Sequence, residues 1–137
     1  MSLLSEARKA CDTAYCPYSN FRVGVAIQLE NNTILHGSNQ ENASFSLTSC
    51  AERVALMSAA SQYPGVKVIS MAIIAVKDGN NVSISPCGAC RQILVEYEMM
   101  QKADIQVMFY SPCSASNYDL VHVKSARELL PYTFLKY

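Results

Sequence analysis

Four side chains in this sequence have the types and spacing to do chemistry together. They are Cys87 and Cys90 in "SPCGACRQ", Cys50 in "SCAERVAL", and Glu52 two residues beyond Cys50. A Cys-x-x-Cys pair at the head of a helix suits a structural clip, a redox pair or a metal site, and the spacing alone does not choose among them. A thioredoxin-type redox pair needs no third cysteine, yet here a third stands at the head of another expected helix. Free N–H groups at helix starts favour the thiolate that a metal needs, and a sulfur-rich set suits zinc. A structural zinc site is closed by four protein ligands, whereas a catalytic one keeps a place for water. The single Cys-x-x-Cys pair favours the open site, while Cys11, Cys16, Cys113, His36 and His122 stay open as a fourth ligand.

Glu52 has two readings. Ser49-Cys50-Ala51-Glu52 can be a capping box, with the glutamate bonding back to the Ser49 N–H. Alternatively Glu52 moves protons for water at the metal. Residues two apart lie about 200° apart on a regular helix, so both reach one site only if Cys50 occupies the non-helical first position. Three thiolates on Zn2+ leave a net negative charge that makes bound water harder to ionise. Arg53 and Arg91, next to Glu52 and Cys90, are the expected donors to the sulfurs.

The elements that must position these groups follow from periodicity. Leu3, Leu4, Ala7, Ala10, Cys11 and Ala14 form one helical stripe ending before Pro17. "FRVGVAIQLE" alternates as a strand, Asn31-Asn32 reads as a two-residue turn, and "TILHGS" returns. "NQENASFSLTS" is a long polar connection of the kind that is more often functional than idle. "CAERVALMSAASQ" reads as a helix apolar nearly all round, and "VISMAIIAV" as a central strand covered on both faces. Asp78 to Asn81 reads as a turn. A second helix from Cys87 is expected to bury Ala89, Ile93, Tyr97 and Met100. "IQVMFY" and "YDLVHV" add strands, and "SARELLP" closes the chain. The order predicts one domain over residues 1–137, an α/β fold with a mixed five-stranded sheet between helical layers.

The composition is that of an ordinary globular protein: 137 residues, 50% hydrophobic, formal net charge zero. Zero charge argues against a nucleic acid polymer as partner, since phosphates want a basic face. The N-terminus carries charges where a signal peptide needs an apolar run, and no segment approaches membrane-spanning length, so no membrane partner is expected. The six cysteines are then expected to be reduced thiols in the cytoplasm.

"YCPYSNFRVGVA", "GSNQENASFSLTSCAERVAL", "SPCGACRQ" and "ELLPYTF" together resemble, in order and over almost the whole chain, the small homotetrameric zinc-dependent cytidine deaminases. The two boxes of the zinc deaminase signature, ligand-x-Glu and Pro-Cys-x-x-Cys, stand at Cys50-Ala51-Glu52 and Pro86-Cys87-Gly88-Ala89-Cys90. The resemblance implies a three-layer α-β-α sandwich, one zinc per chain on Cys50, Cys87 and Cys90, and Glu52 as general acid/base. The implied reaction is hydrolytic deamination of cytidine and deoxycytidine for pyrimidine salvage. It further implies that Phe21 packs on the pyrimidine, that Asn39 and Glu41 hold ribose hydroxyls, and that Phe45 and Ala51 line the substrate. Phe134 would reach a neighbouring subunit's pocket. Where many relatives have tyrosine, "NASF" places Phe45, which has no hydroxyl to offer. Cys11, Cys16 and Cys113 match no ligand role and read as small core residues. A blasticidin-type nucleoside deaminase shares the metal boxes, but the "NQEN" loop and "LLPYTF" favour plain cytidine. A non-catalytic zinc-stapled module would have no use for Glu52.

Overall fold

The computed structural model describes residues 2–112 and 118–136; Cys113 and Tyr137 lie outside the described residues. Helix α1 (Leu3–Ala10) is capped by Ser2 and runs into a 3₁₀ turn at Cys11–Thr13. Strands β1 (Phe21–Leu29) and β2 (Ile34–Ser38) pair antiparallel. Their connection is one residue longer than the expected turn. Leu29 N–H donates to Thr33 O, and Asn32 takes the left-handed conformation (φ 66°), the usual geometry of a three-residue hairpin loop. Helix α2 (Ala51–Gln62) leads to β3 (Val68–Lys77), and helix α3 (Gly88–Gln101) leads to β5 (Gln106–Pro112) and β6 (Tyr118–Val123).

The sheet order is β2-β1-β3-β5-β6, with β3 and β5 parallel and the other neighbours antiparallel. A short sixth strand, β4 (Asn80–Val82), folds back on β3, so Asn80 and Asn81 are strand residues and the turn is confined to Asp78-Gly79. The mixed sheet therefore has six strands, one more than expected. The addition is three residues long, below what a hydrophobic period can signal.

Alternation divides β1 between two cores. Val23, Val25, Ile27 and Leu29 face α2 and α3, packing with Leu56, Leu94 and Val95. Ala26 faces α1 with Ala72, Ile74, Val76 and Cys11. Strand β3 is covered on both sides, as its continuous apolar run predicts. The result is a three-layer α-β-α fold with both cysteine-bearing helices on one face. Helix α2, expected to be buried because it is apolar nearly all round, is not buried on every side, since Met57 is exposed. In α3 the buried residues are Cys90, Leu94, Val95 and Glu98. Ala89 and Met100 face outward, and Ile93 and Tyr97 are half-buried.

Among the described residues, no helix is long and apolar enough to cross a membrane.

Candidate metal centre and cavity

Cys50 and Cys87 are the residues immediately before α2 and α3, both in extended conformation (φ −67°, ψ 151° and φ −65°, ψ 164°). Each sulfur is therefore turned back over its helix start. Cys90, one turn into α3, is buried, and its N–H donates to Cys87 Sγ at 3.4 Å. The sulfurs of Cys50, Cys87 and Cys90 lie within 4.8 Å of one another, with 4.0 Å between Cys50 and Cys87. Zinc–sulfur bonds of about 2.3 Å in a tetrahedron place sulfurs about 3.8 Å apart, so the three fit zinc with little adjustment.

Nothing else described stands ready to close the set. Cys11 Sγ donates to Ala7 O and Ile74 O under α1, His36 pairs with Glu6 at 2.9 Å, and His122 with Gln106 at 2.9 Å. Cys16 is buried, and all five described cysteines are free thiols. Among the described residues this is also the one group of three or more His, Cys, Asp or Glu able to hold a metal.

The capping box does not form. Ser49 N–H is already committed to Gln40 O at 2.9 Å, and Cys50 occupies the cap position, which leaves Glu52 free to face the sulfurs. Gly37 lets α2 begin this close to the sheet. A Cβ there would stand 2.5 Å from Ala51 O and 2.7 Å from Ala55 N.

Glu52 is only 4% exposed. Burial pushes its carboxyl up to about 7, with the Cys50 charge adding to the rise; its own N–H, the Cys90 thiol and Arg53 pull the other way. Hydrogen bonds from the Cys90 thiol first and the Cys87 thiol next hold Cys50 down at about 6 against the rise from burial, with Arg53's charge contributing. The same bond, with burial, pushes the Cys90 thiol up.

Neither arginine donates to sulfur. Arg53 Nη2 donates to Thr48 O at 2.7 Å, and its Nε is buried without a partner. Arg91 donates through Nε to Pro86 O at 2.8 Å and through Nη1 to Leu129 O at 3.0 Å. Arg53's charge lowers the Cys50 thiol, and Arg91 holds the carbonyl of the residue before Cys87.

The cluster opens into a cavity of about 340 Å³. Phe21, Asn39, Glu41, Ala51 and Glu52, all expected near substrate, line it. So do Ser19, Thr48, Ile84 and Ser85, which sequence reasoning missed; Thr48 in the long polar connection, Ser19 beside Phe21 and Ser85 beside the Pro86-Cys87 box had positions that could have pointed to them, and Ile84 did not. Asn39 is more committed than expected. Its Oδ1 accepts from Val23 N and its Nδ2 donates to Phe21 O, each at 2.8 Å, leaving one lone pair and one hydrogen for a ligand. Glu41 Oε1 accepts from the N–H groups of Tyr18 (3.0 Å) and Ser19 (3.2 Å). Hydrogen bonds, that of the Ser19 side chain first, hold its carboxyl below the ordinary range.

Phe45 lies outside this cavity. It stacks edge-on with Tyr18 at 5.2 Å in an adjoining hollow of about 300 Å³ that shares Ser19, Glu41 and Thr48 with the first. Phe134 is 80% exposed and lines neither.

Comparison with known proteins agrees with this geometry. Residues 1–111 match the family described as "Cytidine and deoxycytidylate deaminase zinc-binding region". A cytidine deaminase of Sporosarcina psychrophila is 46% identical over 96 residues, covering 69% of this chain and 67% of that protein. The crystal structure of a cytidine deaminase from Burkholderia pseudomallei superposes with a TM-score of 0.76 at 38% identity, over 98% of this chain and 100% of that one. That of Mycobacterium tuberculosis superposes with a TM-score of 0.73 at 28% identity, over 98% and 95%. With three sulfurs set for zinc, a buried carboxyl beside them and a cavity opening on both, the chain belongs to the cytidine and deoxycytidylate deaminase zinc-binding family.

Proposed function

We propose that this protein deaminates cytidine and deoxycytidine hydrolytically to uridine and deoxyuridine, a step of pyrimidine salvage. Zinc on Cys50, Cys87 and Cys90, when bound, supplies Lewis acidity that makes water a nucleophile near neutral pH. The remaining work falls to the chain. The water oxygen bonds to C4 of the base, N3 gains a proton, and the C4–N4 bond breaks with release of ammonia. Glu52 takes one proton from water and gives it to N3, then passes the proton left on that oxygen to N4, so that ammonia departs and the oxygen becomes the C4 carbonyl. A carboxyl group near 7 can both accept and donate at neutral pH. Phe21 offers a face to the pyrimidine, while Glu41 and the free valences of Asn39 offer acceptors and a donor to sugar hydroxyls.

The observation that carries this reading is Glu52, buried and aimed at the sulfur cluster from the floor of an open cavity. A zinc-stapled module would need no such carboxyl. Glu52→Gln tests it, since the amide keeps the shape but cannot take the water's proton. Zinc content and melting should hold while ammonia release falls about 10²–10⁴-fold. A variant with near-normal turnover would reduce Glu52 to a structural role.

The reading takes residues 1–137 as one domain, working where its thiols stay reduced, as a homotetramer with Phe134 of one copy completing a neighbour's pocket. The free cysteines and the uncovered tail aromatics support those parts of it.

A further inference from the structure

We propose that Arg91 is a positioning residue that couples the metal turn to the C-terminal segment. Zinc at Cys87 and Cys90 and the docking of residues 125–134 along α3 then stabilise each other. This rests on the zinc reading of the cysteine cluster.

The guanidinium of Arg91 spans two carbonyls that are far apart in sequence. One belongs to Pro86, whose peptide leads directly into Cys87; the other belongs to Leu129. Pro86 is itself fully buried, so its carbonyl has no water to turn to. Any displacement of that peptide moves Cys87, and with it a sulfur of the cluster. The next residue, Gln92, donates from Nε2 to Phe134 O at 2.6 Å. At the far end of α3, Glu98 accepts from Ala126 N at 2.8 Å and from Ser125 Oγ at 2.7 Å. The segment is fastened to the helix at several points along its length, Arg127 pairing with Glu98 as well, and the one at Leu129 is shared with the metal turn. A planar fork suits two diverging acceptors, whereas a lysine ammonium is a point donor that cannot hold both in this geometry.

Coupling of this kind is reciprocal. If zinc fixes the Pro86-Cys87 peptide and thereby Arg91, removal of zinc must loosen the tail. If Arg91 only pinned the tail, its loss would loosen the tail whether or not zinc were present and would leave zinc binding untouched.

The experiment compares wild-type protein, its zinc content measured by elemental analysis, with the same protein stripped of zinc under reducing conditions. Amide hydrogen exchange is followed over residues 127–136, with the hairpin at 30–33 as the distant control. The expected result is faster exchange of the tail on stripping and no change in the hairpin. In Arg91→Lys the tail should exchange fast with or without zinc, and zinc affinity, read by transfer to a competing chromophoric chelator, should fall about 10–100-fold, the usual effect of losing a partner behind a ligand. Tail exchange that ignores zinc in the wild type, or wild-type zinc transfer in the variant, overturns the coupling alone. A wild-type protein purified without zinc overturns the cysteine-site reading and the coupling with it. Should Arg91→Lys fail to fold, the wild-type comparison decides.

Discussion

A carboxyl group in water ionises near pH 4, and Glu52 differs because the fold removes its water while leaving the cysteine charge beside it. That environment was legible in the sequence only in outline. The spacing of Cys50 and Glu52 is local, so a helix start sufficed to argue that both could face one site. The competing capping box failed for a reason no local pattern contains, the bond between Ser49 N–H and Gln40 O. The expected arginine–sulfur contacts failed because Arg53 found the Thr48 carbonyl, five residues back, and Arg91 found those of Pro86 and the distant Leu129. Asn39 carries a similar surprise, since its amide ties the connection to β1. Asn39→Ala should therefore cost stability as well as binding. It leaves the buried Val23 N–H without its side-chain acceptor, at about 1–3 kcal/mol. A denaturant midpoint equal to wild type would contradict this. If Glu41 and Asn39 orient the base through the sugar, free cytosine should turn over poorly compared with cytidine, in kcat as well as KM, because remote binding energy is used in the transition state. Equal turnover of the two would remove the sugar site from these residues.

The elements show why amphipathic pattern reading succeeds for strands and slips for helices. Strand β1 alternates with period two, and its buried residues fall where the alternation puts them. In α3 the expected face, Ala89, Ile93, Tyr97 and Met100, is displaced by one position from the buried Cys90, Leu94 and Glu98. One position is about 100° of rotation. The displacement traces to Glu98, a carboxylate that any hydrophobic count assigns to solvent but that is 2% exposed. It accepts from the N–H groups of Ile105 and Ala126, each at 2.8 Å, and from Ser125 Oγ at 2.7 Å, joining the end of α3 to β5 and to the closing turn at Ala126–Leu129. Buried charges persist when such bonds surround them. Glu98→Ala should strand two buried N–H groups, each at about 1–3 kcal/mol, and lower the melting temperature well beyond a surface substitution. A midpoint within a degree of wild type would show that water or a shifted loop replaces the carboxylate.

At the scale of the whole molecule the unfinished surface lies around the tail and the outer hollow. Tyr132 (95%) and Phe134 (80%) are exposed, yet the Phe134 carbonyl is held by Gln92 near the start of α3, so the tail's backbone is fixed while its rings have no cover. Phe45 and Leu47 in the long connection are similarly bare, at 70% and 65%. Aromatics fastened in exposed positions are costly in a free monomer and natural in an interface. Leu135 packs against the main core, while Tyr132 and Phe134 do not. The resemblance to homotetrameric deaminases supplies the number of copies, and the exposed rings supply the surface to join them. Light scattering should therefore give four times the 15.1 kDa chain mass. Phe134→Ala should leave each subunit folded, since the ring touches no core, but should weaken cytidine binding by about 1–3 kcal/mol, the range for an aromatic stacked on a base. A tetramer whose Phe134→Ala variant binds cytidine as before would keep the assembly and end the ring's part in the pocket. An active monomer would end both.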